Sequence, residues 1–391
     1  MRTRAWFVGL FLILLSGLLC VGQSSSPWSW GPVLGAIGED YVAISWMTTR
    51  PMSIDLSYAL AEVYDATGTW QETLTFDRHE GHGEIWLPRL SAGSIYRYQL
   101  TAFEGDAVYP SRVSTFRTID PGIRAFSFFV YGETRSFPDR HKLVADMMEE
   151  DSGDASFVVH AGSLIESDSP ERMANFFWAA GELARSHSLL SVIDPVLAGS
   201  ETYYDAMALP PGGGQSNEQW WSLDYGSTHL IGLDSTLSGP GQAATIQEQL
   251  AWLRSDLAAA AGKVILVVCS VPLYSADYPG GKNEALTALW EPLFLEHGVR
   301  VVFSGGPARY EHLYVRGIHH IVSGGGGAPL AESPASLAPG TVFARSGLLH
   351  YIRITVADSA LRVEAVPVAF FAGEDMVLSP SGRPIDSFVI R

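Results

Sequence analysis

Between residues 27 and 118 apolar and polar positions alternate in short runs. Val42-Ala43-Ile44-Ser45-Trp46-Met47 and Ser53-Ile54-Asp55-Leu56-Ser57-Tyr58 carry the period of two that turns one face of a strand inward and the other to water. Gly83-Glu84-Ile85-Trp86-Leu87, Leu90-Ser91-Ala92-Gly93-Ser94-Ile95-Tyr96-Arg97-Tyr98 and Val113-Ser114-Thr115-Phe116-Arg117-Thr118 continue the pattern. Short strands joined by turns predict a small all-β sandwich over 27–119. Asp120-Pro121-Gly122 then interrupts the alternation with breaker residues.

From residue 123 the rhythm changes. Nearly continuous apolar runs at 126–131, 156–160, 190–197, 228–233, 264–269 and 299–303 read as strands, and 139–150, 171–185, 243–260 and 284–297 between them read as helices. In the third helix Ile246, Leu250, Leu253 and Leu257 fall at helical spacing and predict one buried stripe. Strand patterns return at 318–322, 348–356, 361–368 and 387–390. Strands apolar on both faces belong to covered sheets. The predicted fold of 123–391 is therefore α/β, a layered β-sandwich flanked by helices. No internal repeat is present.

Composition narrows the function classes. A chain of 391 residues with 47% hydrophobic and 11% aromatic residues can build a large core, which argues against disorder. Its net charge of −17 repels phosphate backbones and anionic lipid, so nucleic acid and acidic membranes are not expected as partners. Arg2 and Arg4 precede an almost wholly apolar run at 5–21, and Gly22-Gln23-Ser24-Ser25-Ser26 follows. This reads as an export signal over 1–23, which implies an extracellular, periplasmic or cell-surface protein; an uncleaved anchor is the alternative. No second stretch is long and apolar enough to span a bilayer. With Cys20 in the signal, Cys269 stands alone and no internal disulfide is expected.

The candidate chemistry lies in loops just past strand ends, where α/β folds gather functional residues. In Val301-Val302-Phe303-Ser304-Gly305-Gly306-Pro307-Ala308-Arg309-Tyr310-Glu311-His312 an apolar run enters a glycine turn. Similar framework residues recur at Tyr131-Gly132, His160-Ala161-Gly162, Gly199, Val271-Pro272 and Gly324-Gly325-Gly326-Gly327-Ala328-Pro329. In this order they resemble the calcineurin-like metallophosphoesterases, particularly the purple-acid-phosphatase branch, over the whole mature chain. The segment from Leu90 to Tyr98 resembles the L-x-P-G-T-x-Y-x-Y corner of fibronectin type III domains, with Tyr96 as the corner tyrosine tied to the preceding turn. The resemblance implies two adjacent divalent or trivalent metals, such as iron, zinc or manganese, that activate water and clamp phosphate.

The residues that would hold those metals are replaced at every loop. Where the family has Gly-Asp, Gly-Asp and Gly-Asn-His-Glu, this chain has Gly132-Glu133, Gly162-Ser163 and Gly199-Ser200-Glu201-Thr202. Ser270 stands for the histidine two residues before the fourth-loop proline, and Gly306 and Ala308 replace both histidines of G-H-x-H-x-Y-E. Loss of a single outer partner already costs about 10–100-fold in affinity or activity, and neutral serines are poor ligands for transition metals. No metal cofactor is therefore expected.

Residual sites remain to be placed. Glu133 and His141 could share one weak cation, and Glu133, Glu166, Asp168 and Glu201 could offer oxygens to a harder one. Cys269, ending an apolar strand, reads as a buried inert thiol; Ser270 lacks an identifiable base. His319 and His320 should face opposite sides of a strand. Residues 324–327 fit a tight packed turn or an anion nest. The leading expectation is an exported, catalytically inactive binder of an unknown ligand or protein partner. The alternatives are a phosphomonoester hydrolase using an atypical site around Glu133, His141, Glu166, Asp168 and Glu201, or a structural surface scaffold.

Overall fold

Residues 26–79, 81–153, 155–238, 241–373, 375–379 and 382–391 are described by a computed structural model; the export signal expected over 1–23 lies outside the described residues. The alternating segments form strands β1 (Trp28–Ile37), β2 (Tyr41–Thr48), β3 (Met52–Leu60), β4 (Glu72–His79), β5 (His82–Pro88), β6 (Ile95–Glu104), β7 (Ala107–Pro110) and β8 (Ser114–Arg117). A short helix α1 (Ala61–Thr67), ended by Gly68 at φ 67°, links β3 to β4. One sheet has the order β1-β2-β5, the other β4-β3-β6-β7 with β8 also on β6. Alternation decides the packing: Val42, Ile44 and Trp46 meet Ile54, Leu56, Tyr98, Leu100 and Phe116 in a shared core. The Tyr96 ring stacks on Phe116 at 5.0 Å, and its hydroxyl accepts from the Ser91 N–H at 2.9 Å. That is the corner tie expected from its spacing.

The remaining elements are β9 (Ala125–Tyr131), α2 (Pro138–Asp151), β10 (Ala155–His160), α3 (Pro170–Ser186), β11 (Ser188–Ser191), α4 (Glu201–Ala206), β12 (Gly212–Gly213), β13 (Trp220–Tyr225), β14 (Thr228–Leu233) and α5 (Ala243–Ala259). They continue with β15 (Val264–Cys269), α6 (Glu284–His297), β16 (Val301–Ser304), β17 (Tyr310–Val315), β18 (Ile318–Ser323), β19 (Thr341–Arg345), β20 (Leu348–Ala357), β21 (Ala360–Ala372), β22 (Asp375–Leu378) and β23 (Asp386–Ile390). One sheet runs β11-β10-β9-β20-β21-β22, with β23 also on β21; the other runs β12-β13-β14-β15-β16-β18-β17-β19. The two faces of the second sheet divide the core. Leu230, Leu266, Val268 and Phe303 pack toward the first sheet, while Ile231, Ile265, Val267 and Val302 pack with Leu253, Leu257, Trp290 and Phe294 of α5 and α6. This is the layered α/β sandwich, with α2 and α3 on the outside of the first sheet. Among the described residues no helix is long and apolar enough to cross a membrane.

Two expectations change in detail. The apolar run 190–197 is a strand only as far as Ser191, because the Asp194 carboxylate captures the N–H groups of Val196, Leu197 and Leu164 at 2.9, 3.3 and 3.2 Å. On α5, Leu250, Leu253 and Leu257 are buried as the spacing predicts, but Ile246 is only partly covered. Gln249 is buried beside them, its side-chain amide bonding the Asp234 backbone N–H and C=O.

The sandwich docks on the second unit through backbone as well as side chains. Ala36 N–H donates to Ala208 O at 2.6 Å, Ser45 Oγ to Ala206 O at 3.0 Å, and Tyr98 Oη to Arg185 O at 2.8 Å. Trp30 packs on Phe177 with ring centroids 4.7 Å apart.

Candidate functional site

The carboxyl ends of β9, β10, β15 and β16 open into one loop cluster. Leaving β9, Glu133 takes φ 60°; leaving β10, Ser163 takes φ 58°. Non-glycine residues rarely adopt this left-handed conformation, which costs on the order of 1 kcal/mol and needs the surrounding structure to hold it. The holding bonds are direct. Glu133 N–H donates to Gly162 O at 3.1 Å, and the N–H groups of Thr134 and Arg135 both reach Ser163 O. His160 braces the same turn: its Nδ1 accepts from Gly162 N–H at 3.2 Å, so Nε2 carries the proton and faces Thr134 Oγ1 at 3.0 Å. The Thr134 hydroxyl in turn donates to Leu164 O at 2.8 Å. Burial holds the His160 imidazole neutral, well below its usual range.

Glu133 is nearly inaccessible and forms an ion pair with Arg135, Oε2 to Nε 2.9 Å. Burial raises its pKa, and the Ser163 hydroxyl and the Arg135 guanidinium offset part of that shift. A Cβ placed on Gly306 would lie 2.9 Å from Glu133 Oε1. The long side chain of Glu133 therefore reaches into the space that any side chain at 306 would need. Across the cluster, Gly162 at φ 95° lets Ser270 approach so closely that an added Cβ would stand 2.3 Å from the Ser270 Cβ. Two departures from the family pattern, at 133 and 306, thus fit each other sterically.

The other expected positions have structural employment. Ser200 caps α4, its Oγ accepting from Tyr203 N–H at 3.1 Å, and Glu201 is exposed in the first turn of that helix. Ser270 Oγ pairs with Ser235 Oγ at 2.9 Å, and Val271 N–H donates to the same Ser235 oxygen. Ala308 is buried. His141 is buried against Phe176 with its Nε2 3.1 Å from Tyr131 Oη, and burial pushes its pKa down to about 3. Glu166 pairs with Arg172 at 2.5 Å, and Asp168 is exposed. Among the described residues no group of three or more His, Cys, Asp or Glu side chains is gathered for a metal. The atypical set of Glu133, His141, Glu166, Asp168 and Glu201 is not brought together.

The lone cysteine and the paired histidines sit as their strand positions require. Burial pushes the Cys269 thiol up to about 12. His319 joins His312 at 2.9 Å on one face of β18, and His320 packs on Tyr274 at 4.7 Å on the other. The N–H groups of Gly324 and Gly326 go to Arg309 O and Gly132 O, so this turn packs the loops and is not an open anion nest.

Residues that sequence reasoning passed over complete the site. Arg309 is buried; its Nε lies 2.5 Å from Glu311 Oε1, and its Nη2 bonds Asp277. Glu311 also accepts from Ala276 N–H at 3.1 Å, which ties the fifth loop to the fourth. The hint was Arg309-x-Glu311 at the entry to β17, a spacing of two that lets the two side chains meet. Glu133, Arg135, Ser163, Ser270, Ser275, Asp277, Tyr278 and Pro307 surround a cavity of about 300 Å³.

These donors do not fit the paired metals that the fold implies. Of the positions that would hold them, only Glu133 and Glu201 carry a charged ligand atom; a guanidinium already pairs with Glu133, and Glu201 is exposed in the first turn of α4.

No family model matches the chain, and no curated protein matches it. Solved structures do. The purple acid phosphatase PPD1 from yellow lupin (Lupinus luteus) superposes with a TM-score of 0.68 at 17% identity, covering 92% of this chain and 73% of its own. PhoD gives 0.73 at 12% identity, covering 94% and 90%. GAP50, the anchor in the inner membrane complex of Plasmodium, gives 0.54 at 16% identity, covering 68% and 88%. The chain has the metallophosphoesterase fold of the purple-acid-phosphatase type, preceded by a β-sandwich.

Proposed function

We propose that this is an exported protein that uses a metallophosphoesterase fold to bind and does not hydrolyse phosphoesters. The observation that carries the reading is the Glu133–Arg135 ion pair at 2.9 Å, with Glu133 filling the space beside Gly306. In a working site the first carboxylate faces a metal ion; here it faces the protein's own cation. At other ligand positions stand serine hydroxyls engaged in a helix cap and a mutual hydrogen bond, an exposed Glu201, and Gly306 and Ala308, which have no ligand atom. None can replace the charge that a metal brings to a departing phosphate oxygen. Ser270 has another serine as its partner, so it lacks the base that nucleophilic catalysis needs. The fold itself licenses no activity.

The test is turnover of an aryl phosphate by the mature protein in the presence of iron, zinc or manganese. The expected result is no rate above the metal-only control. Turnover that disappears in Glu133→Ala contradicts the reading.

A further inference from the structure

We infer that the cavity framed by Glu133, Arg135, Asp277 and Tyr278 takes a neutral polyhydroxyl ligand of the sugar class and not a phosphoester. The inference rests on the non-hydrolytic reading of the same pocket and names what it binds. Its first support is the state of the cations. Arg135 is held by Glu133 at 2.9 Å, and Arg309 by Glu311 and Asp277 together. A phosphate dianion could meet only the outer N–H groups of Arg135, and there it would lie against the Asp277 carboxylate, a like charge lining the same cavity. Backbone donors offer it little, since Pro307 has no N–H and the Gly324 and Gly326 N–H groups are already bonded inside the loops.

A neutral ligand rich in hydroxyls leaves the ion pairs intact. Its O–H groups can donate to the exposed Asp277 carboxylate, which still has free lone pairs. Its oxygens can accept from the remaining N–H groups of half-exposed Arg135. Tyr278 and Pro307 add apolar surface to the same cavity, which suits the C–H faces of a pyranose ring. The volume of about 300 Å³ lies at the small end of ligand pockets, the size for one or two sugar rings.

Thermal melts and saturation-transfer NMR on the mature protein test this directly, with glucose, N-acetylglucosamine, maltose and trehalose against inorganic phosphate and p-nitrophenyl phosphate at matched ionic strength. At least one sugar is expected to raise Tm saturably and to show saturation transfer, as a ligand of the native state must. Its affinity is expected to fall about tenfold in Arg135→Ala and in Tyr278→Ala, the loss of about one good polar contact. Both side chains are half-exposed, so the variants should keep the fold, which circular dichroism checks. No binding by any of the four sugars overturns the inference, as does saturable binding of phosphate, or sugar binding unchanged in both variants. Absent sugar binding together with absent turnover sinks this inference alone; phosphate turnover that needs Glu133 sinks the functional reading beneath it.

Discussion

Two ionic clusters in this molecule look alike on paper and work differently. In the loop cavity, Glu133 meets one cation, Arg135, whose side chain is 44% exposed. On the outer sheet, His229 of β14 is clamped between two carboxylates, Nδ1 to Asp224 at 2.7 Å and Nε2 to Asp256 of α5 at 2.8 Å. Ser222 Oγ and Lys263 Nζ hold those carboxylates in turn, at 2.8 and 2.6 Å. Burial opposes charge in both places, but two acids overcome it at His229, which is pushed up to about 9, with Asp224 pushed down to about 2. One exposed guanidinium does not overcome it at Glu133, whose carboxyl stays raised. The clamp is built for stability. The cavity pair is a charge kept in place at a cost, as functional pockets often keep theirs.

Mutating both clusters is the strongest way to break the contrast. His229→Leu is expected to destabilise by about 3 kcal/mol in denaturant melts, since it leaves the mostly buried Asp256 of α5 without its cation. A loss below about 1 kcal/mol would remove the structural role assigned to the clamp.

The pH dependence sharpens it. The folded pKa of His229 lies above its unfolded value, so its contribution is complete below about pH 6.5 and fades as pH rises through about 9. Over that window the native protein should lose on the order of 2 kcal/mol, discounted for the exposure of Asp224, and the slope should vanish in His229→Gln. Equal slopes in both proteins contradict the assignment.

Smaller effects are expected in the cavity. Gly306→His should cost about 1 kcal/mol because its Cβ makes the carboxylate end of Glu133 move aside, and adding Glu133→Asp should recover most of that. Additive costs would show that Glu133 does not occupy the space. Glu133→Gln should be smallest of all. A carboxyl whose pKa is raised on folding loses stability as pH climbs past its unfolded value, so at neutral pH the amide is expected to be neutral or stabilising, within about 1 kcal/mol. A large loss would mean that the carboxylate holds something more than Arg135.

Much of this molecule was legible before any coordinates. Period-two runs placed the sandwich strands, and Tyr96 kept its tie to Ser91. The framework glycines marked the loop cluster correctly because backbone packs on backbone there, a demand that survives when the ligands change. Less legible were features made by distant pairs. The 190–197 run hid a turn made by Asp194 capturing N–H groups from its own loop and from Leu164. The His229 clamp joins residues 27 positions apart, with a helix supplying one acid. The fit of Glu133 to Gly306 is a steric relation across two loops that no local pattern reports.

The central claim is that the protein's own cation has taken the place of metal. Elemental analysis of mature protein, purified without chelator and then exposed to iron, zinc and manganese before desalting, measures it most directly. Well under one equivalent of any transition metal per chain is the result this account predicts, and two tightly retained metals per chain would contradict it.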